Sequence, residues 1–300
     1  MWGGTDVQKS VRSIQASLDA GVNFIDTAPA YGLGLSERIV GEAIHGRRDK
    51  VILATKCGLV WHTAKGTFFV DQNGTRIHRY LGAESIRYEV EHSLRRLETD
   101  YIDLYQTHWQ DATTPIAETM GTLLDLKREG KIRAIGVSNC TIDQVRQYRA
   151  VGPVDAAQEQ YNLLHRDVEH EYLPYCLQNH MAVLAYSPLA NGLLTGKVDP
   201  ERVFPDDDLR RNSPLFSRDS RMRVRDMFEH LAPVARKYSF TDGQLAIAWA
   251  LAQPGVTHAL VGARDTHQAE ENAWAGSVML AAADVARVTE AAESSVMVEA

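Results

Sequence analysis

Apolar residues in this chain follow two alternating rhythms. Short unbroken apolar runs, the pattern of parallel strands covered on both faces, alternate with stretches whose apolar residues recur three and four apart, the pattern of a helix buried along one side. The runs start at 22, 50, 101, 132, 156, 182 and 257. Helical spacing fills 6–20, 36–44, 84–97, 116–129, 168–178, 221–237, 241–253, 265–274 and 282–293, and a further helix opens at Thr141. Start and stop signals agree with these elements: Thr5 or Asp6, Thr141, and Asp265 or Thr266 can cap helices, while Gly21 and Gly130 end them. Two stretches break the rhythm. Residues 59–82 carry Trp61, Phe68, Phe69 and Val70 before Asp-Gln-Asn-Gly at 71–74, which predicts a hairpin-like insertion acting as a packed cover. Residues 198–220 are polar, contain proline and read as a long loop.

Strand–helix alternation without a linker predicts an α/β fold: one (β/α)8 TIM barrel as a single domain over 1–300. Seven strands are found where such a barrel has eight. The absent one would precede the first helix, where Met1 to Gly4 are too few to build a strand and its approach. The first strand is therefore expected to be missing or displaced, leaving an open edge between the strands at 22 and 257.

Composition changes this picture little. The chain has 300 residues, 44% hydrophobic and 24% charged, ordinary for a globular protein and enough to bury most of its unfolded surface. A net charge of -7 with no dense basic cluster argues against a nucleic-acid partner. Cys57, Cys140 and Cys176 form no C-x-x-C pair, so no zinc ribbon or redox dithiol is indicated, and reduced thiols suit a cytoplasmic protein. No signal peptide and no membrane-spanning apolar run is read.

Candidate chemistry changes the picture more. In a barrel of this type the C-terminal strand ends share one face, and catalytic groups stand there. The ends are Asp26, Lys56, His108, Ser138-Asn139, Gln160, Tyr186-Ser187 and Gly262, with Tyr31 in the loop after the first. All but the last end in an ionisable or hydrogen-bonding residue. Four of these residues make sense together. An ammonium at Lys56 eases loss of the Tyr31 proton, Asp26 supplies the counter-charge a buried lysine requires, and His108 can polarise a carbonyl oxygen. The set is a proton donor aimed at a substrate oxygen, without a nucleophile or a metal. A second signal lies after the last two strands, where such barrels commonly hold phosphate: Asn191-Gly192-Leu193-Leu194-Thr195-Gly196-Lys197, and Gly262-Ala263-Arg264 before a helix with Gln268, Glu271 and Asn272. Neither is a Walker A loop, and no G-x-G-x-x-G opens a helix after a strand.

These residues resemble the aldo-keto reductases. The matching stretches are Gly-Val-Asn-Phe-Ile-Asp-Thr-Ala-Pro-Ala-Tyr-Gly at 21–32, Ala-Thr-Lys at 54–56, Gln-Thr-His-Trp at 106–109, Gly-Lys-Ile-Arg-Ala-Ile-Gly-Val-Ser-Asn at 130–139, Gln160 with Tyr161-Asn162, Tyr-Ser-Pro-Leu at 186–189, and Gly-Ala-Arg at 262–264 with Glu-Asn at 271–272. The likeness is greatest to the bacterial branch with a Gly-Ala-Arg loop. The resemblance implies NADPH-dependent reduction of an aldehyde or ketone, with Tyr31, Asp26, Lys56 and His108 as the catalytic four. It implies that Tyr186 stacks on the nicotinamide and that Ser138, Asn139 and Gln160 hold its carboxamide. Ser187, Leu189, Gly192, Leu194 and Lys197 would line the pyrophosphate and ribose path. Gly262, Ala263, Arg264, Gln268, Glu271 and Asn272 would hold the adenosine end, with Arg264 near the 2′-phosphate. Gly262-Ala263 replaces the Lys-Ser pair of many members. The family also carries about thirty more residues at the front, the length of a plugging hairpin and a first strand; a chain starting at Met1 is expected to bind cofactor more weakly. Trp61 and Trp109 suggest an apolar-walled pocket for a small carbonyl substrate. Two other readings remain open from the residues alone: a redox-sensing subunit that binds cofactor but turns over weakly, and a Schiff-base aldolase or isomerase acting through Lys56.

Overall fold

Seven short parallel strands form the frame of the computed structural model, which describes residues 6–206 and 208–296. The strands are β1 (Phe24–Asp26), β2 (Ile52–Cys57), β6 (Ile102–Thr107), β7 (Ile132–Ser138), β8 (Ala156–Gln160), β9 (Ala182–Tyr186) and β10 (His258–Leu260), paired in that order. The insertion forms a separate antiparallel sheet of β3 (Leu59–Val60), β4 (Thr67–Gln72) and β5 (Thr75–Arg79), with β5 in the middle and a bulge between Phe68 and Val70. Ten α-helices are described: α1 (Val7–Asp19), α2 (Leu35–Ile44), α3 (Ala83–Leu97), α4 (Ile116–Arg128), α5 (Ile142–Val151), α6 (Tyr172–Gln178), α7 (Arg218–Lys237), α8 (Asp242–Leu251), α9 (Thr266–Ser277) and α10 (Ala282–Val296). The loop read at 198–220 contains one short 3-10 turn, Pro214–Phe216, and the helix read at 168–178 splits into a 3-10 turn at Asp167–Glu169 and α6.

The barrel interior is filled from alternate residues of each strand. Ala54, Leu104, Ala156 and Leu184 pack there with Phe24, Ala134, Ala182 and Leu260. Intervening residues such as Leu53, Tyr105, Val137, Ala157 and Val183 point outward into the larger core beneath the helices. A one-residue slip would exchange these two sets, so the alternation fixes which residues reach the mouth. Helix caps fall where the sequence places them. Asp6 accepts from the backbone of Lys9, Thr141 forms a capping box with Gln144, and Asp265 accepts from the backbone of Gln268.

Among the described residues no ladder joins β1 to β10, the two ends of the strand order. The expected open edge is therefore present, bridged at single points: Phe24 and His258 meet with centroids 4.7 Å apart, and α1 reaches the loop after β10 through Ser13, whose hydroxyl donates to the carbonyls of Ala263 and Asp265. Thr5 and Met1 to Gly4, considered above as a cap and as strand material, lie outside the described residues. Cys57, Cys140 and Cys176 are all buried and free.

Candidate active site

Lys56 is completely buried, and a buried ammonium is tolerable only with its donors engaged. All three have acceptors: Asp26 Oδ2 at 2.5 Å, the carbonyl of Thr27 at 2.9 Å and the Tyr31 hydroxyl at 3.5 Å. Strand pairing explains the meeting. Asp26 stands opposite Ala54 in the β1–β2 ladder, so the inward-facing residue one step up β2 is Lys56. Burial alone would lower the pKa of Lys56; the adjacent Asp26 carboxylate, and then Tyr31, outweigh it and hold the ammonium above its ordinary value. His108 follows β6, and its ring meets that of Tyr31 edge-on at 5.5 Å. Burial, then the charge of Lys56, pushes this imidazole well below its ordinary pKa, so it is neutral near pH 7.

Sequence reasoning missed two residues here. The second oxygen of Asp26 accepts from Gln158 Nε2 at 2.9 Å and from Gln106 Nε2 at 3.2 Å, across the barrel from β8 and β6. With Lys56 on one oxygen and two amides on the other, the carboxylate has a single orientation. Gln106 fits only because Gly136 stands beside it in the β6–β7 ladder: a Cβ at 136 would come within 2.7 Å of Gln106 Cγ. The signal was present as polar residues at inward positions of otherwise apolar strands, below the strand ends where attention had gone. Gln160 stands one inward position above Gln158 and does not line the cleft.

The mouth opens into a cleft of about 840 Å³, large enough for a sizeable organic ligand. Asp26, Tyr31, His108, Trp109, Ser138, Asn139, Tyr186 and Ser187 line one end; Gly262, Ala263 and Asn272 line the other, along the seam beside β10. Hydrogen bonds tie the first group together: Tyr186 donates to Asn139 Oδ1, Asn139 Nδ2 donates to the carbonyl of His108, and Ser138 donates to the carbonyl of Gln158, each at 2.9 Å. Asn139 and Ser187 both hold left-handed backbones, with φ of 52° and 53°, a conformation non-glycine residues adopt only when their surroundings impose it. Behind Asn139 the half-buried Glu159 accepts from the backbone of Cys140 and from the Tyr172 hydroxyl, and desolvation pushes its pKa up to about 7.

The remaining predicted residues lie on the outer loops. Leu189 and Gly192 belong to the turn after β9, where Gly192 has a φ of 93° and the Arg210 guanidinium lies 4.0 Å from where a Cβ would stand. Leu194 is fully buried under that turn, while Lys197 is exposed with Glu271 at 3.7 Å. Gln268 Oε1 accepts from the backbone of Arg264, and Asn272 donates to the carbonyl of Gly262. Trp61 lies on the insertion and does not line the cleft. The donor set suits a dinucleotide: amides and hydroxyls at the mouth, bare glycine backbone at 192 and 262, and cations at 197 and 264.

Comparison with known proteins agrees with this geometry. Residues 1–293 match the sequence model of the Aldo/keto reductase family. The chain is 42% identical to an NADH-specific methylglyoxal reductase of Escherichia coli over 298 residues, covering 98% of this chain and 90% of the relative. It superimposes on a glycerol dehydrogenase of Gluconobacter oxydans with a TM-score of 0.90 at 39% identity, over 98% of this chain and 88% of the other. An aldo/keto reductase of Klebsiella pneumoniae in complex with NADP and acetate gives a TM-score of 0.72 at 30% identity, over 95% and 85% of the two chains. The chain belongs to the aldo/keto reductase family and is an NAD(P)H-dependent oxidoreductase that reduces carbonyl compounds.

Proposed function

We propose that this reductase converts a small aldehyde or ketone to its alcohol with Tyr31 as the proton donor and NADPH as the preferred cofactor. The bonding of Lys56 carries the reading: an ammonium held by Asp26 and aimed at the Tyr31 hydroxyl, beside a neutral His108. When bound, the nicotinamide supplies the hydride. Tyr31 gives its proton to the carbonyl oxygen, and Lys56 stabilises the charge left on the phenol oxygen. Asp26, oriented by Gln106 and Gln158, keeps Lys56 in place, and the neutral His108 ring orients the carbonyl oxygen. Ser138, Asn139, Gln158 and Tyr186 would hold the nicotinamide, and the turns at 187–197 and 262–272 the remainder. In this reading the chain forms one barrel and works in the cytoplasm; among the described residues no helix is long and apolar enough to cross a membrane.

The cofactor preference rests on Arg264, an exposed guanidinium on the loop after β10 that suits a 2′-phosphate. The NADH-specific relative favours a second reading in which NADH serves as well. The test is reduction of methylglyoxal with each cofactor. A KM for NADPH about tenfold below that for NADH, lost in Arg264→Ala, supports the preference; equal KM values overturn it. Tyr31→Phe should abolish turnover while cofactor fluorescence still titrates, and retained turnover would exclude Tyr31 as the donor.

A further inference from the structure

We propose that Arg79 forms a subsite for an anionic group on the substrate, so that carbonyl compounds bearing a carboxylate a few bonds from the reacting carbon are preferred. This rests on the carbonyl-reductase reading of the cleft and adds the substrate class to it.

The charges at the mouth are otherwise balanced. Lys56 is paired with Asp26 and His108 is neutral. Arg79, the last residue of β5, stands behind the Trp109 wall rather than in the cleft lining, and it is a cation with no ion pair among the described residues. Its Nε is buried and has no hydrogen-bond acceptor, while the residue as a whole is half-buried and reachable from solvent. A buried N–H without a partner is uncommon, and at a binding site it suggests an acceptor brought by the ligand. The acids flanking this part of the chain are engaged elsewhere. Asp111 accepts from the backbone of Leu81 and from Thr113 and Thr114, and Glu84 pairs with Lys65.

Two rings hold the guanidinium in place, Phe69 at 4.7 Å and Trp109 at 4.8 Å. Trp109 follows His108 directly and forms part of the cleft wall. The strand period places Arg79 on the same face of β5 as Ile77, which packs with Ala30 next to Tyr31. Two strand residues span roughly 7 Å, so a substrate whose carbonyl lies at Tyr31 and His108 and whose chain passes Trp109 brings its far end toward Arg79. A guanidinium binds a carboxylate in a two-pronged fashion through an edge of its plane.

The test compares 4-oxobutanoate with butanal, which have the same chain length and differ in the terminal carboxylate. The native enzyme should favour 4-oxobutanoate in kcat/KM by about 10- to 100-fold, the size of one charge-assisted contact. Arg79→Gln should remove that preference through KM and leave butanal within about threefold, with Arg79→Lys between the two. In the native enzyme, KM for 4-oxobutanoate should rise with salt and that for butanal should not, a measurement that needs no variant. Equal kcat/KM for the two substrates in the native enzyme overturns the proposal, as does an equal loss on both in Arg79→Gln. No reduction of either substrate would instead overturn the reading of the site on which it rests.

Discussion

The two arms of the cleft are built differently. At the β1–β2 arm the buried charges are cross-braced: Asp26 is held by three side chains from three strands, Lys56 by three acceptors, and nearby Asn139 by a chain running from Tyr186 to His108. At the β10 arm the walls are turns and bare backbone, the cations are exposed, and the ion pair of Lys197 with Glu271 is long. Such a surface pair contributes little. The difference teaches that the proton-transfer groups are set before any ligand arrives, whereas the far arm can be altered without disturbing them. Relatives that keep the fold can therefore differ in cofactor.

The comparison breaks most severely if the brace loses its centre. Lys56→Met should lower kcat by about 10³-fold or more, and it strands Asp26 without its counter-charge at a cost of about 3–5 kcal/mol; steady-state kinetics and thermal unfolding check both. A turnover within tenfold of the native rate would deny the proton-transfer arm its importance. Next comes Gly136→Ala, which drives a methyl group into Gln106 and removes one of the two amides that hold the same oxygen of Asp26. About 10²-fold should be lost from kcat with the KM for cofactor nearly unchanged. An equal rise in the KM for cofactor would show that the two arms are mechanically joined.

The smallest effect concerns pH. Glu89 accepts from the backbone N–H of Gly58, two residues past Lys56, and from Ser85. Burial raises its pKa from 4.5 to about 8. Between those values the fold holds a proton that the unfolded chain has released. Its contribution to stability is complete below pH 4.5 and is lost as pH rises through 8. About 2 kcal/mol should go between pH 6 and 8, seen as a falling Tm that Glu89→Gln flattens. An unchanged slope in that variant would remove Glu89 as its source.

Much of this was legible in the sequence because barrels repeat. A strand and a helix per unit fix where each strand end lies, so Asp26, Lys56 and His108 could be assigned to one mouth without any structure. Gln106 and Gln158 could not. Their role is to reach Asp26 across the barrel interior, and contacts over 80 and 132 residues of sequence leave no local pattern. Gln160 stood out instead because it ends its strand. Arg79 escaped notice for a related reason. The aromatic insertion announced itself as a cover, but which face of β5 meets Trp109 depends on the register with β3 and β4, set by a bulge. The short 3-10 turn before α6 was likewise hidden, since its apolar spacing merges with that of the helix.

The three buried cysteines have a consequence for an enzyme of this chemistry. Aldehydes are electrophiles, and thiolates are among the nucleophiles they meet in proteins. Burial raises the pKa of each thiol here, that of Cys57 well above its ordinary value and that of Cys176 to about 12, and Cys140 moves the same way. The thiolate fraction at neutral pH is therefore negligible, and substrate cannot reach the sulfurs while the barrel is folded. These three thiols are thus shielded from adduct formation by the carbonyl compounds the enzyme reduces, and they become targets only when the barrel opens.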